Sequence, residues 1–133
     1  MVKNSIVSVL TTLLVFAGPS DFAIAGSEDV VVDKAWSRAS IGISRPGAAY
    51  MSISNTADQP ITLIGIKTPV SMISEIHETK TNSEGVSSMM PAGEISIPPG
   101  EILELAPGGL HVMLMQLKSP LKQGETFSLT LFF

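Results

Sequence analysis

The chain has 133 residues, of which 44% are hydrophobic and 15% are charged, and its formal net charge is −4. This length accommodates one domain with a sizeable core and is too short for two. The acidic balance argues against nucleic-acid binding, because binding of phosphates requires a basic surface. Cysteine is absent, which excludes disulfides, zinc–thiolate sites, blue-copper centres and a lipid-anchored cysteine at a cleavage site.

The first 25 residues are predicted to be a signal peptide and not part of the fold. Lys3 supplies a positive charge, an apolar run follows, and Ala23, Ile24 and Ala25 form a small-x-small cleavage signal. The apolar run is shorter than the ~20 residues that a transmembrane helix requires, which makes an N-terminal anchor helix the less favoured alternative. We expect a periplasmic mature chain of residues 26–133 with no membrane span.

The mature chain is predicted to be a series of short strands separated by turns. Apolar or alternating segments fall at residues 30–34, 48–55, 59–67, 71–79, 86–90, Ile102–Leu105, Leu110–Leu117 and 126–133. Clusters of glycine, proline, asparagine and serine separate these segments, and no segment has sustained helical periodicity. This pattern predicts an all-β fold, a single-domain Greek-key β-sandwich or barrel.

A hairpin is predicted to join the strands at residues 71–79 and 86–90. If it is centred near Ser83, His77 lies directly opposite Met89, with Cβ atoms ~5 Å apart. A register slip of one residue would present Met90 in place of Met89. Two glutamates flank the histidine and are candidates to orient its imidazole ring, namely Glu75 and Glu78.

The strand Leu110–Leu117 carries a second pair of candidate ligands. His111 and Met113 are two positions apart, so they project from the same face of a strand. Their Cα atoms would lie ~6.6 Å apart. Leu110, Val112 and Leu114 take the opposite face and are expected in the core.

The four candidate ligands His77, Met89, His111 and Met113 form the pattern H-x11-M-x21-H-x-M, which contains both histidines of the chain. Imidazole and thioether ligands without a thiolate suit Cu(I) better than zinc or iron. The pattern therefore predicts a copper(I) site. Three further methionines are expected to fill the core, namely Met51, Met72 and Met115.

Spacing alone leaves two other classes of function open. The first is a metal-free interaction module, such as a secreted adhesin or an enzyme accessory domain, in which these residues only pack. The second is a copper redox enzyme or electron carrier, which two thioethers and the absence of cysteine disfavour. The sequence contains no G-x-S-x-G, no H-E-x-x-H and no glycine-rich phosphate loop, so we expect no enzymatic activity.

Several segments resemble the PCuAC family of periplasmic copper(I) chaperones over nearly the whole mature chain. Residues 35–39 resemble the opening motif of the family, residues 47–55 its next strand, and residues 76–79 its first ligand segment. Residues 107–114 closely resemble its last and most specific motif. The family pattern is H-x10-M-x21-H-x-M, and we expect the extra residue of this chain in the turn at residues 82–85.

The resemblance implies a cupredoxin-like β-barrel that binds one Cu(I) per chain. It implies that the ligands are His77, Met89, His111 and Met113. It also implies a copper-accepting partner, either the CuA subunit of cytochrome oxidase or another copper chaperone. We expect a monomeric carrier that is not an enzyme.

Overall fold

The fold is built from short strands in all parts of the chain that the computed structural model describes, which are residues 11–17, 24–25 and 29–133. These residues contain no helix, and so none that could cross a membrane. The prediction of an all-β fold is confirmed. The strands are β1 Thr11–Ala17, β2 Ile24–Ala25, β3 Val30–Ser37, β4 Gly47–Asn55, β5 Ile61–Leu63, β6 Gly65–Lys67, β7 Ser71–Thr81, β8 Ser87–Pro91, β9 Ile95–Ile97, β10 Ile102–Leu105, β11 Leu110–Leu117 and β12 Thr126–Phe132.

Most strands belong to one large sheet with the order β6-β12-β1-β3-β4-β11-β7-β8. Strand β10 adds to β4 and β2 adds to β3, while β5 and β9 form a separate antiparallel pair. Strand β6 lies beside β7, but no ladder joins the two strands in the described residues. The sheet therefore curves around the core without closing into a continuous barrel.

The core is centred on the strands β4 and β11. Ile53 on β4, and Val112 and Leu114 on β11, are fully buried, as expected for one face of a strand turned toward the core. Leu129 and Leu131 on β12 belong to the same cluster of buried apolar residues. This burial confirms the predicted inward face of residues 110–117.

The methionines expected in the core have different positions. Met51 is buried, as predicted, whereas Met72 is 65% exposed. Met72 lies on the same face of β7 as Ile76, but it is in the gap between β6 and β7, where no described residue covers it. Met115 is half-buried on the same face as Met113, not on the core face. The core assignment was therefore correct only for Met51.

The prediction of a single strand at residues 59–67 was wrong. The segment divides into β5 and β6, which belong to different sheets. Between them, the backbone N–H of Ile64 donates to the carbonyl of Phe132 at 2.8 Å. The chain changes its partner strand at Ile64, from β9 to β12. An apolar run in a sequence does not show where such a change occurs, which explains the error. Strand β9 was not predicted.

A β-bulge in β3 determines which side chains flank the centre of the sheet. Asp33 pairs with Ser52 and Trp36 pairs with Tyr50, so two residues of β3 oppose one of β4. Lys34 has a φ of 52°, the left-handed conformation found at many bulges. The bulge places Trp36 beside Tyr50.

The structure pairs β1 with β12 in an antiparallel ladder and with β3 in a parallel one. This strand lies in the segment that we predict to be a signal peptide. Residues 1–10, 18–23 and 26–28, which include the expected new amino terminus at Gly26, lie outside the described residues. The cleavage at residue 25 stays a prediction.

Candidate metal centre

The two histidines meet on adjacent strands at the middle of the sheet. Strand β11 lies between β4 and β7, and its residue His111 is directly opposite His77 of β7. Side chains at opposite positions of an antiparallel pair project from the same face. The centroids of the two imidazole rings are accordingly 6.2 Å apart.

His111 is held by the turn that precedes β11. Its Nδ1 lies 3.1 Å from the carbonyl oxygen of Gly109, and a carbonyl only accepts, so Nδ1 carries the hydrogen. The turn is closed by a hydrogen bond from Gly109 N–H to the carbonyl of Ala106. Pro107 and Gly108 are its central residues, and the φ of 85° at Gly108 suits a type II turn. His111 is only 3% exposed, and its Nε2 is buried without a hydrogen-bond partner among the described residues.

His77 has the same arrangement with its ring nitrogens exchanged. Its Nε2 lies 3.1 Å from a carboxylate oxygen of Glu75, so Nε2 carries the hydrogen. Its Nδ1 is buried and unpaired among the described residues. Of the two glutamates that flank His77, Glu75 therefore orients the ring, whereas Glu78 pairs with Lys80 at 3.5 Å.

The hairpin between β7 and β8 positions Met89, and its register differs from the prediction. Met89 pairs with Thr79, and Pro91 is the residue opposite His77. Asn82 N–H bonds to the carbonyl of Val86 and centres the turn on residue 84, not 83. The side-chain oxygen of Asn82 also accepts from two backbone N–H groups, which stabilises this longer turn.

The shifted centre keeps Met89 on the face that carries the histidines. Residues 77, 79, 89 and 91 share this face because opposite positions project together. Met90 pairs with Glu78, on the other face. The register therefore favours Met89 over Met90 as a partner of His77, although Met89 lies diagonally across from the histidine.

A cavity of about 510 Å³ opens beside His111 at the end of β11. Three of the four predicted ligands line it, namely Met89, His111 and Met113. His77 does not line this cavity, but its ring lies beside the ring of His111, with 6.2 Å between the two centroids. Met89 is 58% exposed at the rim. The structure thus brings all four residues to one region, with the histidines deeper than Met89.

The arrangement fits a soft metal ion. A histidine that binds metal usually donates its other ring N–H to a carboxylate or a backbone carbonyl, which fixes the tautomer and leaves one lone pair for the metal. His77 and His111 each meet this condition. The described residues contain no cluster of three or more His, Cys, Asp or Glu, whereas the thioethers of Met89 and Met113 line the same cavity as His111.

Aromatic residues beside the histidines were not identified as part of the site from the sequence. The rings of Trp36 and Tyr50 are 4.6 Å apart, and Tyr50 is 6.5 Å from the ring of His111. Trp36 is half-buried. Trp36 lies near the site because of the bulge at Lys34, and no local feature of the sequence predicts this bulge.

The sequence has recognisable relatives. Residues 30–133 match the family described as "Putative lipoprotein LpqE-like". The chain is 36% identical over 107 residues to "Putative lipoprotein Lxx21020" of Leifsonia xyli subsp. xyli, a match that covers 80% of this chain and 63% of that protein. It is 28% identical over 133 residues to the uncharacterized protein RP573 of Rickettsia prowazekii, covering 97% of this chain and 73% of that protein.

Solved structures with the same fold include PCuAC domains. The apo PCuAC domain from PmoF1 aligns with a TM-score of 0.65 and 26% identity, covering 84% of this chain and 86% of that one. The copper-bound PCuAC domain from PmoF2 aligns with a TM-score of 0.55 and 25% identity, covering 74% of each chain. These neighbours confirm the cupredoxin-like fold class. The chain belongs to the LpqE-like family, which is of the PCuAC type.

Proposed function

We propose that this protein is a periplasmic copper chaperone that carries one Cu(I) ion and delivers it to a copper-accepting protein. The proposed ligands are His77, Met89, His111 and Met113. The likeness to a copper-bound PCuAC domain supports copper as the cargo. The proposed recipient is the assembly of a copper centre in cytochrome c oxidase, either its CuA subunit or another copper chaperone.

One observation carries the proposal: two buried imidazole nitrogens have no hydrogen-bond partner among the described residues, and they belong to histidines that face each other across adjacent strands. A buried polar atom without a partner costs free energy, and native structures rarely leave such atoms without a role. A copper ion would accept the lone pairs of both nitrogens. Each ring is already held by a hydrogen bond at its other nitrogen, which would lower the entropic cost of binding.

The ligand types favour the reduced ion. Thioether sulfur is a soft ligand that prefers Cu(I), and imidazole accepts either oxidation state. Neutral ligands add no negative charge, so the bound ion keeps its single positive charge. These ligands therefore suit carriage without redox cycling.

The unequal exposure of the ligands suits release. Met89 lies on β8, the last strand of the sheet order, and is 58% exposed. His111 is almost fully buried on the central strand β11. A ligand of the recipient would displace Met89 first, and the buried histidines would hold the ion until the transfer is complete.

The direct test is a Cu(I) titration of the purified protein against a chromophoric chelator that competes for the ion. The wild-type chain is compared with His111→Ala and Met113→Leu. We expect one Cu(I) per chain in the wild type and a large loss of affinity in both variants. Met72→Leu is the control, because Met72 is exposed in the gap between β6 and β7.

The outcomes separate the proposal from its alternatives. A metal-free interaction module would not compete with the chelator, and retention of full affinity in His111→Ala would contradict the ligand set. X-ray absorption of the loaded protein should show both sulfur and nitrogen around copper. Oxygen-dependent turnover of a reductant by the loaded protein would instead support a copper redox enzyme.

A further inference from the structure

We propose that the loop at residues 38–46, between β3 and β4, is a docking surface for an acidic segment of the protein that accepts the copper. The inference rests on the proposed function, because it describes how a partner reaches the same site. It concerns side chains that bind no metal. Its basis is the charge, exposure and attachment of this loop.

Both arginines of the chain lie at the mouth of the cavity that contains His111 and Met113. They are Arg38 and Arg45, one at each end of the loop. No Asp or Glu is among the described residues that line the cavity. The chain as a whole carries a net charge of −4, so this mouth is a local exception to the acidic balance of the molecule.

The guanidinium groups are available to a partner. Within the described residues the ion pairs are those of His77 and Lys80, and neither arginine takes part in one. The guanidinium of Arg38 lies over the ring of Trp36, 5.9 Å from its centroid. This contact places the arginine beside the aromatic side chains Trp36 and Tyr50, which lead to His111. Its N–H donors can form paired hydrogen bonds to a carboxylate.

The same loop exposes apolar side chains, which identifies the occupant as a protein segment. Ile41 and Ile43 are 76% and 51% exposed. The loop is attached to the domain at Ser40, whose N–H donates to the carbonyl of Leu121 at 2.8 Å and whose hydroxyl accepts from Leu121 N–H at 2.8 Å. A small anion would leave both isoleucines in water, whereas an acidic peptide with apolar residues would cover them.

A negative charge on the opposite side of the site favours one direction of approach for the partner. Glu75 on β7 is half exposed and bonded to His77. The site therefore has positive charge on the β3–β4 side and negative charge on the β7 side. Complementary charge mainly sets the encounter rate and the orientation of a complex, so an acidic segment would approach over the arginines and reach Met113 from that side.

The test is a binding titration of the metal-free protein, followed by the fluorescence of Trp36, the only tryptophan in the chain. Two short synthetic peptides are compared, which share the same apolar residues and carry glutamate or glutamine at the remaining positions. We expect the glutamate peptide to bind and the glutamine peptide to bind about tenfold more weakly. Each of Arg38→Gln and Arg45→Gln should lower the affinity for the glutamate peptide about two- to fivefold. Added salt should lower this affinity further.

Matched variants make the result specific. Arg38→Lys and Arg45→Lys keep the charge and should retain most of the affinity for the glutamate peptide. Ile41→Ser should lower the affinity for both peptides. Lys118→Gln removes an exposed charge beyond the far end of β11 and should have no effect. Equal binding of both peptides, or equal losses in Lys118→Gln and the arginine variants, would overturn the docking surface.

A Cu(I) titration of Arg38→Gln and Arg45→Gln separates this inference from the proposed function. Unchanged copper affinity is expected, because neither arginine is a ligand. Loss of copper binding in these variants would contradict the assignment of a pure docking role. If the wild type binds no copper, the chaperone proposal fails even where the glutamate peptide binds.

Discussion

Each histidine of the site depends on a hydrogen-bond acceptor that holds one ring nitrogen and leaves the other for a metal. For His77 this acceptor is a side chain, the carboxylate of Glu75. For His111 it is a backbone carbonyl, that of Gly109. The first can be removed by substitution without changing the backbone, which makes Glu75 the more informative of the two.

Glu75→Ala should lower Cu(I) affinity roughly tenfold, in the range found for residues that orient metal ligands. Without the carboxylate, His77 is free to rotate and to change tautomer, so it must be ordered when copper binds. Glu78→Ala is the matched control, since Glu78 pairs with Lys80 and not with the histidine. Chelator competition measures both variants, and equal affinities would show that Glu75 has no orienting role.

Neighbouring methionines on β8 give a second comparison at the scale of single residues. Met89→Leu should weaken Cu(I) binding, because Met89 shares the face of the histidines. Met90→Leu should not, because Met90 pairs with Glu78 on the other face. A Cu(I) titration of both variants checks this prediction and decides between Met89 and Met90 as the proposed ligand on β8. A loss of affinity in Met90→Leu alone would assign Met90 in place of Met89.

The turn before β11 is the element that supports the site most directly. Gly108→Ala should destabilise the fold by about 1 kcal/mol, since a side chain is unfavourable at a φ of 85°. It should also weaken copper binding, because the same turn presents the carbonyl that orients His111. Chemical denaturation and chelator competition measure the two effects separately.

Gly100→Ala is the control for this turn. Gly100 follows Pro99, has a φ of 73°, and lies in a turn closed by a hydrogen bond from Glu101 N–H to the carbonyl of Pro98. A Cβ at either glycine would meet no atom within 4 Å, so both substitutions act through backbone strain. We expect a similar loss of stability and unchanged copper affinity in Gly100→Ala. Equal copper affinities in both variants would separate the turn from the site.

At the scale of the whole molecule, copper should stabilise the folded state. A metal that binds only the native chain adds about 2.7 kcal/mol when its free concentration is 100 times the dissociation constant. Thermal melting under reducing conditions should therefore shift by several degrees with Cu(I), and His111→Ala should show little shift. An equal shift in this variant would mean that copper binds elsewhere.

The predicted signal peptide has a consequence for the sheet. Strand β1 pairs with β12 and β3, so removal of residues 1–25 would open one edge of β12. We expect mass spectrometry of the exported protein to find Gly26 as its first residue. We also expect the β12 amides that face β1 to exchange faster in this form than in the full chain. An exported chain that keeps residues 11–17 would contradict the cleavage prediction.

Local regularities of the sequence were sufficient for most of the strands and for the types of candidate ligand, but not for β9 or for the division of residues 59–67 into β5 and β6. Alternation with a period of two made it possible to predict that His111 and Met113 share a face while Val112 and Leu114 enter the core. The Pro107-Gly108 pair indicated the turn before them. These features depend on residues close together in the chain, so the pattern of side chains is enough to determine them.

Tertiary structure alone decided which strands became neighbours and in what register. The pairing of His111 with His77, the turn centred on residue 84, and the bulge at Lys34 that brings Trp36 to Tyr50 depend on how distant strands pack. Nothing local distinguishes the observed registers from a shift of two residues, because such a shift keeps the same side chains on each face, and nothing local marks the position of the bulge. The sequence by itself therefore determined which candidate ligands the chain carries and that His111 and Met113 lie on one face. Long-range pairing decided that they meet, since only the packed sheet brings residues from β3, β4, β7, β8 and β11 to one place.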